Sequence, residues 1–274
     1  MWLLNNILNK TFDLFFSPFR ALNPLWGLSI ISFITGIIML IIFRYTSNQD
    51  GIKKAKDKIK AYLLEVRLYK DDMGLMLNAQ KNILKHNFTY MKYSVIPMLV
   101  MMIPVVLILI QLNFRFGYSP LKPGDDAIVV LNMNKGINVN GIEAKVITHP
   151  GIEVETPILR IDERKEVDWR IRAKEYGNFD LEFQIGGEKF HKNIKVTDKL
   201  TMISPKRVSS GFFDLIFNPA EKPIKKNSVV ESIEIRYSPT DLNVFGYKIH
   251  WLVIFFVLSI AFGFAFKGVF GVQV

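Results

Sequence analysis

The chain has 274 residues, of which 50% are hydrophobic and only 22% are charged, and its mean hydropathy is +0.21. This balance is too apolar for an ordinary soluble enzyme and points to a membrane protein. The absence of cysteine excludes disulfide frameworks, thiolate zinc sites and cysteine nucleophiles. The formal net charge of +10 would also suit a nucleic-acid binder, so the position of that charge along the chain has to be established.

The N-terminal segment, residues 1–20, mixes large apolar side chains with asparagine, lysine and aspartate. The apolar set is Trp2, Leu3, Leu4, Ile7, Leu8, Phe12, Phe15, Phe16 and Phe19. This spacing predicts an amphipathic helix that lies on the outer leaflet of a membrane and stops near Pro18. The alternative is an N-terminal extension of the first membrane span.

Three stretches contain no charged residue and predict membrane spans: residues 21–43, 93–114 and 249–266. The shortest has 18 residues. At about 1.5 Å per residue it gives a helix of about 27 Å, close to the hydrocarbon thickness of about 30 Å. In the third span Gly263 and Gly268 suit close helix packing, but we identify no pair of small residues four positions apart.

The basic surplus is concentrated between the first two spans, where residues 44–92 hold 11 lysines and arginines against five acidic residues. This bias predicts that the 44–92 segment is cytoplasmic, the N-terminus lies outside and the C-terminal tail, residues 267–274, lies inside. Residues 115–248 are nearly balanced, with 21 basic and 19 acidic residues. The charge is therefore chiefly a topology signal, and we expect no DNA binding.

The 44–92 segment has the pattern of a helical hairpin. Apolar residues recur at three- and four-residue steps from Ile52 to Tyr69, and a second series begins after Asp72, a predicted N-cap. Two antiparallel helices in a short coiled coil are expected. The first carries Lys53, Lys54, Lys56, Lys58 and Lys60. This basic face would suit anionic lipid or ribosomal RNA, although a solvated face that only sets topology is equally consistent.

Polar and polarisable side chains within the spans predict a substrate groove. The candidate groove residues are Ser29, Ser32, Thr35, Arg44, Met98, Met101 and Gln111. Polar groups in hydrocarbon are costly, and methionine adapts its shape to varied apolar ligands. The alternative is structural: the hydroxyls bond to their own helix, and Arg44 extends to the interface.

Residues 115–248 predict strands. Six runs are rich in β-branched and aromatic residues and are separated by turn residues: 126–131, 142–148, 167–171, 179–185, 190–196 and 229–237. The pair Gly186-Gly187 is predicted to turn the run 179–185 into the next one. They favour an all-β, immunoglobulin-like extracytoplasmic sandwich. The apolar run from Gly211 to Phe217 is expected to pack in its core, with a membrane-skimming helix or a partner surface as alternatives. The predicted fold class is thus an α+β membrane protein with three transmembrane helices.

Motifs for catalysis are absent from the sequence. There is no HExxH, GxSxG, Walker or GxGxxG pattern in a fitting context, and the four histidines are dispersed. We therefore expect neither enzymatic activity nor a metal or other cofactor.

The order of these elements resembles the Oxa/YidC superfamily of membrane protein insertases, including Get-receptor-like and ER-membrane-complex-insertase-like members. The similarity runs from about Ile41 to Gly124. It is carried by Lys54-Ala55-Lys56-Asp57-Lys58-Ile59-Lys60 in the hairpin and by Pro97-Met98-Leu99-Val100-Met101-Met102-Ile103-Pro104 in the second span. The resemblance implies a three-span core with a hydrophilic groove open to the cytoplasm and to lipid.

Two features depart from that pattern. The nearest candidate for the groove-lining arginine of the superfamily is Arg44, at the cytoplasmic end of the first span. The predicted sandwich lies between the second and third spans, whereas Gram-negative YidC carries its outer domain before the core. We expect a specialised relative that also binds a partner outside the membrane.

The sequence thus predicts a chaperone-like insertase of the bacterial inner membrane. Its expected partners are the lipid bilayer, client membrane-protein helices, an extracytoplasmic protein and, through the hairpin, the ribosome. One alternative is a non-catalytic scaffold or subunit of a larger inner-membrane complex. Another is a channel or transporter subunit, which would need to form oligomers.

Overall fold

The computed structural model describes residues 2–20, 22–209 and 211–272, and in this part of the chain it has a mixed α and β fold. Residues 1, 21, 273 and 274, at the edges of the predicted 1–20, 21–43 and 267–274 segments, lie outside the described residues. The helices are α1 (Trp2–Phe16), α2 (Pro24–Thr46), α3 (Gln49–Leu68), α4 (Met73–Phe116), α5 (Phe212–Phe217) and α6 (Trp251–Phe266), with a 3₁₀ turn at Ser17–Phe19. The strands are β1 (Asp126–Met133), β2 (Ala144–Ile147), β3 (Ile152–Val154), β4 (Leu159–Ile161), β5 (Glu166–Ala173), β6 (Gly177–Ile185), β7 (Glu188–Val196), β8 (Lys206–Val208), β9 (Val230–Arg236), β10 (Asp241–Val244) and β11 (Tyr247–His250).

The chain divides into two compact units. One, here called the β unit, comprises Met1–Gly27 and Leu109–Trp251. The other, the helical unit, comprises Leu28–Ile108 and Leu252–Val274.

Antiparallel sheets form the centre of the β unit. In the larger sheet the strand order is β3-β5-β1-β9-β8, with β4 also paired to β5, and a second sheet has the order β2-β6-β7. Alternate residues of β1, β5, β6 and β7 are buried and form one shared hydrophobic cluster. β6 and β7 are joined by Gly186 and Gly187, both with positive φ. A two-residue turn of this kind needs glycine because positive φ is costly for side chains with a Cβ.

All six predicted strand regions contain a strand, with ends that differ by a few residues. Five further strands escaped the sequence pattern. β3, β4 and β8 have three residues each, too few for alternation to be recognisable. The β10–β11 hairpin is separate from both larger sheets. The finer assignment to the immunoglobulin-like class stays a prediction.

The run from Gly211 to Phe217 differs from the expectation of core packing. It forms α5, which has no buried residue and exposes Phe212, Phe213 and Phe217. A single turn of helix between β8 and β9 has too little length to turn its aromatic side chains into a core already filled by strand residues.

The helices α2 and α4 are long and apolar enough to cross a membrane, judged by length and composition. α6 is also apolar but has 16 residues, two fewer than the predicted third span. α4 is continuous over 44 residues, so the second hairpin helix and the predicted second span are one helix. Pro97 and Pro104 lie inside it, and a long helix tolerates the loss of single backbone hydrogen bonds in this way.

α3 and the first part of α4 pair antiparallel, as predicted. The rings of Tyr62 and His86 stack with centroids 5.6 Å apart, and the ammonium group of Lys56 lies 5.9 Å from the ring centroid of Tyr90. The Asp72 carboxylate accepts a hydrogen bond from the backbone N–H of Leu75 at 3.0 Å, so its predicted N-cap role is confirmed.

α2 and α6 approach closely at small residues. A Cβ atom placed on Gly36 would lie 2.8 Å from the carbonyl oxygen of Ser259 and 3.3 Å from the backbone nitrogen of Gly263. Ser259 and Gly263 are four positions apart, so the expectation that α6 has no such pair of small residues was wrong. The absence of a side chain at Gly36 allows the two backbones to come together at this point.

Candidate functional site

A cavity of about 440 Å³ lies within the helical unit, between α2, α4 and α6. Its lining includes Thr35, Gly36, Met39, Leu40 and Phe43 of α2, Met98, Met101, Met102 and Val105 of α4, and Phe255, Phe256, Ser259, Ile260, Gly263 and Phe264 of α6. Among the residues that the structure describes, no charged side chain lines this cavity. Its volume and its apolar walls suit a hydrophobic ligand or a few apolar side chains of a bound helix.

Three of the seven predicted groove residues, Thr35, Met98 and Met101, line this cavity together. Ser29, Ser32 and Arg44 do not line it: Ser29 is half-buried, Ser32 is fully buried and Arg44 is exposed. The lining methionines lie on one side of α4 at positions spaced by three and four residues, which brings them onto one helix face.

The hydroxyl groups of α2 do not make the cavity hydrophilic. Ser32 donates a hydrogen bond to the carbonyl of Leu28 at 2.7 Å, and Thr35 donates to Ile31 at 2.7 Å. Both bonds return to the preceding turn of the same helix, which satisfies the hydroxyl hydrogen within the helix.

Sequence reasoning missed Met39, Phe43 and Ser259. Thr35, Met39 and Phe43 are spaced by four residues, so the first two omissions had a usable signal in helix periodicity. Ser259 contributes a polar atom to the wall: its Oγ is buried and, within the described part of the chain, has no hydrogen-bond partner.

Gln111, the remaining predicted groove residue, lies in the β unit within a buried polar cluster, here called the clamp, of Asn9, Asp13, Gln111 and Arg115. The side chain of Gln111 donates to Asn9 Oδ1 at 2.8 Å and accepts from Arg115 at 2.9 Å. The Arg115 guanidinium also contacts Asp13 Oδ1 at 2.5 Å. The clamp therefore joins α1 to the C-terminal end of α4 by charge-assisted hydrogen bonds.

Aromatic rings complete the surroundings of Arg115. The guanidinium carbon lies 5.6 Å from the ring centroid of Phe12 and 5.7 Å from that of Phe16. Phe16 also packs edge-on against Phe116 at 5.6 Å. The planar cation is thus held between ring faces and hydrogen-bond acceptors, which fits a structural joint better than a mobile substrate contact.

Four of the five predicted hairpin lysines, Lys53, Lys54, Lys58 and Lys60, are exposed, and Lys56 is half-buried against Tyr90. The structure adds an apolar group that was not predicted as a site. It lies at the end of the hairpin, is called the hairpin tip here, and comprises the exposed side chains of Leu64, Leu68, Met73 and Leu77. A surface of this kind within a basic hairpin is suited to contact with other proteins or lipid.

The β unit contains a buried Ser-Lys-Glu cluster. Lys192 donates to the carbonyl oxygen and Oγ of Ser204 at 2.7 and 2.8 Å and forms an ion pair with Glu221. Burial lowers the pKa of Lys192, while the carboxylate of Glu221 opposes that shift. Because Ser204 also donates to Glu221, the same carboxylate holds both partners. The cluster ties β7 to the segment before β8 and to the segment after α5 through charge-assisted hydrogen bonds.

Comparison with known protein families finds no match, and the curated proteins and the solved structures likewise give none. Within the described residues there is also no group of three or more histidine, aspartate or glutamate side chains arranged to hold a metal ion. The function therefore has to be argued from the cavity, the hairpin and the β unit themselves.

Proposed function

We propose that this chain is an insertase-like protein of the bacterial inner membrane, related to the Oxa/YidC superfamily, that receives client membrane-protein helices. In this proposal α2, α4 and α6 are three spans, the hairpin of α3 and α4 lies in the cytoplasm, and an immunoglobulin-like sandwich lies outside. The observation that carries it is the cavity of about 440 Å³ between three apolar helices, lined on the α4 side by three methionines.

The chemistry of that cavity supports transient binding of apolar segments. Met98, Met101 and Met102 present unbranched thioether side chains to the cavity, and such side chains adapt to ligands of different shape. A client recognised in this way would be selected by hydrophobicity and size rather than by sequence.

The hairpin supplies a second contact for a client before it enters the membrane. Its exposed lysines suit the acidic surface of a ribosome or an anionic leaflet, and the hairpin tip offers Leu64, Leu68, Met73 and Leu77 to an emerging apolar segment.

The β unit would bind the extracytoplasmic partner. Phe245 is 97% exposed at the turn between β10 and β11, where it adopts a positive φ of 51°. Exposure of an aromatic ring to water and a positive φ in a residue with a Cβ are both unfavourable. A partner that contacts this turn would compensate for both.

A scaffold without client insertion is the second candidate, and one observation favours it. The cavity has no charged side chain among its described lining residues, so it offers little to the polar flank of a translocating segment. In that case the cavity would hold lipid or a stable partner helix.

Site-specific photocrosslinking separates the two candidates. A photoreactive amino acid is placed at Thr35 of α2 or at Met101 of α4, both of which line the cavity. The control position is Ile103 of α4, which is exposed and does not line the cavity. The insertase proposal expects nascent short-tailed membrane proteins to crosslink from Thr35 and Met101 but not from Ile103. Crosslinks confined to stable subunits would establish the scaffold. A second experiment depletes the protein from cells. If every short-tailed membrane protein is still inserted after depletion, the insertase proposal is refuted.

A further inference from the structure

The amphipathic helix α1 turns two asparagines towards the protein and several large apolar side chains away from it. Asn5 and Asn9 are buried, the latter with 8% exposure, whereas Leu3, Ile7 and Leu14 are exposed, the last at 77%. These leucines and the isoleucine are spaced by four and seven residues, so they share one face of the helix. Lys10 and Thr11 lie on the same exposed side, and Phe16 is buried with the two asparagines, so each side of α1 is mixed. The exposed leucines and isoleucine are nevertheless side chains that a helix on a protein surrounded by water would turn inward.

Helix α5 lies beside α1 and carries further exposed apolar side chains. Asn5 Nδ2 donates to the carbonyl of Leu215 at 2.7 Å, and Asn9 Nδ2 donates to the carbonyl of Pro219 at 2.7 Å. The two helical segments therefore lie side by side in the same direction. Phe212 and Phe213 of α5 project away from the core and are both exposed, Phe213 at 70%.

The two buried asparagines explain why α5 can stay in this position. α5 has six residues and no buried side chain of its own, so it gains little from hydrophobic packing. The carbonyl of Leu215 in α5 and that of Pro219 just after it are instead bound by α1, and α1 is held in turn by the clamp through Asp13 and Arg115. Hydrogen bonds hold this helix on the side that faces α1, and apolar side chains cover its exposed side. Such a helix is suited to contact with hydrocarbon on the exposed side.

The chain itself indicates which environment this is. α1 ends at Phe16, and after a short connection the apolar helix Pro24–Thr46, long enough to cross a membrane, begins. Leu22, just before that helix, and Trp26, in its first turn, are exposed as well. Lys10 and Arg20 are exposed beside these apolar residues and suit the phosphate level of a bilayer.

We propose that α1 and α5 together form one lipid-inserted surface, with Leu3, Ile7 and Leu14 of α1 and Phe212 and Phe213 of α5 in the outer leaflet, so that the protein contacts the membrane through this surface as well as through its spans. The proposal rests on the membrane location in the proposed function, but it does not depend on client insertion.

Spin labels on single cysteines test this surface in the full-length protein, and the absence of native cysteine makes the labelling specific. The variants are Leu14→Cys, Phe213→Cys and, as the matched control, Phe245→Cys, an exposed aromatic position outside the proposed surface. Each labelled protein is reconstituted into vesicles of phosphatidylcholine and phosphatidylglycerol, and collisions of the label with oxygen and with a water-soluble nickel chelate are compared. Circular dichroism confirms that each variant is folded.

Labels at positions 14 and 213 are expected to collide several-fold more with oxygen than with the nickel chelate, whereas the label at position 245 shows the opposite preference. A label at position 213 that behaves like the one at 245 would remove α5 from the surface and overturn the proposal. Labels at 14 and 213 shielded from both reagents would show a protein contact instead, such as a second copy of this chain, and would also overturn it. If the labels at positions 14 and 213 are exposed to lipid but the photocrosslinking experiment finds no client, only the insertase function is refuted.

Discussion

Arg115 is a buried cation whose environment depends on the clamp. Its side chain is 1% exposed, whereas the side chain of its partner Asp13 is 42% exposed. Loss of the Asp13 carboxylate would leave the Arg115 guanidinium buried without its counter-charge. Loss of Arg115 would not leave Asp13 in the same position, because the Asp13 side chain reaches water.

Asp13→Ala is expected to lower the free energy of unfolding by about 1–3 kcal/mol, because the Arg115 guanidinium stays buried without its carboxylate. Lys10→Ala is the matched control, because it removes an exposed charge from the same helix and leaves the clamp intact. Thermal unfolding of the detergent-solubilised protein should show the larger loss for Asp13→Ala. Equal losses would mean that the charge pair does not account for the stability of this joint.

Asp168 in β5 gives the β unit a pH dependence. Burial raises the pKa of its carboxyl group, and the neighbouring Glu166 acts in the same direction, while Arg236 and Arg164 oppose the shift. One of its carboxylate oxygens, Oδ1, is buried and has no hydrogen-bond partner within the described residues. The folded state therefore binds the proton more tightly than the unfolded state, so the contribution of Asp168 to stability is present at low pH and is lost as the pH rises through its raised pKa.

Asp168→Asn should consequently be more stable than the parent protein at neutral pH and similar to it at about pH 3, where the unfolded-state carboxyl is also largely protonated. The fluorescence of the neighbouring buried Trp169 provides a readout of unfolding in the same strand. The surface variant Asp162→Asn is the control and should show no comparable trend. A stability difference for Asp168→Asn that does not change with pH would contradict the assignment.

At single positions, the sequence identified capping and turn residues more reliably than groove residues. Asp72 and the Gly186-Gly187 turn act locally, so their roles follow from the neighbouring few residues. Thr35 and Gln111 are different: the first does line a cavity but its hydroxyl bonds back to its own helix, and the second joins a cluster with residues about a hundred positions away. Such partners are set by tertiary packing, which one-dimensional spacing does not contain.

Among the elements, the contact of α2 with α6 depends on the absence of a side chain at Gly36. Gly36→Ala would place a methyl group 2.8 Å from the carbonyl oxygen of Ser259, so the helices must separate. Overpacking of this kind costs about 1–3 kcal/mol.

Gly263→Ala is the matched control, because a methyl group there meets nothing within 4 Å. Unfolding of the two variants in mixed micelles of increasing denaturing detergent should give a lower midpoint for Gly36→Ala and an unchanged or higher one for Gly263→Ala. The opposite order would show that α2 and α6 do not pack in this way.

The extent to which elements could be predicted depends on their length. β1, β5, β6 and β7 have eight or nine residues, long enough for their β-branched and aromatic content to be recognised, and β5 and β6 also show clear alternation. The sequence predicted a boundary between the hairpin and the second span after Lys92, the last charged residue before the apolar stretch. Residues 89–92 contain no helix breaker, so the helix continues through this boundary. α5 was misjudged because an apolar run was equated with a core, while the medium that surrounds it is not encoded in its composition.

At the scale of the whole molecule, the predicted topology puts the hairpin and the β unit on opposite sides of the membrane. Lys58→Cys in α3 and Phe245→Cys in the β10–β11 turn are both exposed positions in a chain without native cysteine. In spheroplasts, a membrane-impermeant maleimide should label position 245 at once and position 58 only after the membrane is permeabilised. Labelling of both positions in intact spheroplasts would refute the predicted arrangement.

The free side of β7 has a consequence for contacts between copies of the protein. β7 ends the three-stranded sheet, and the outward backbone groups of such a strand can recruit a strand from another molecule. Here the carbonyl of His191 accepts from the Arg207 guanidinium, and the backbone N–H of Asn193 donates to Glu221 at 3.2 Å. With these positions occupied, the edge of β7 offers fewer unpaired backbone groups through which a neighbouring copy could add a strand.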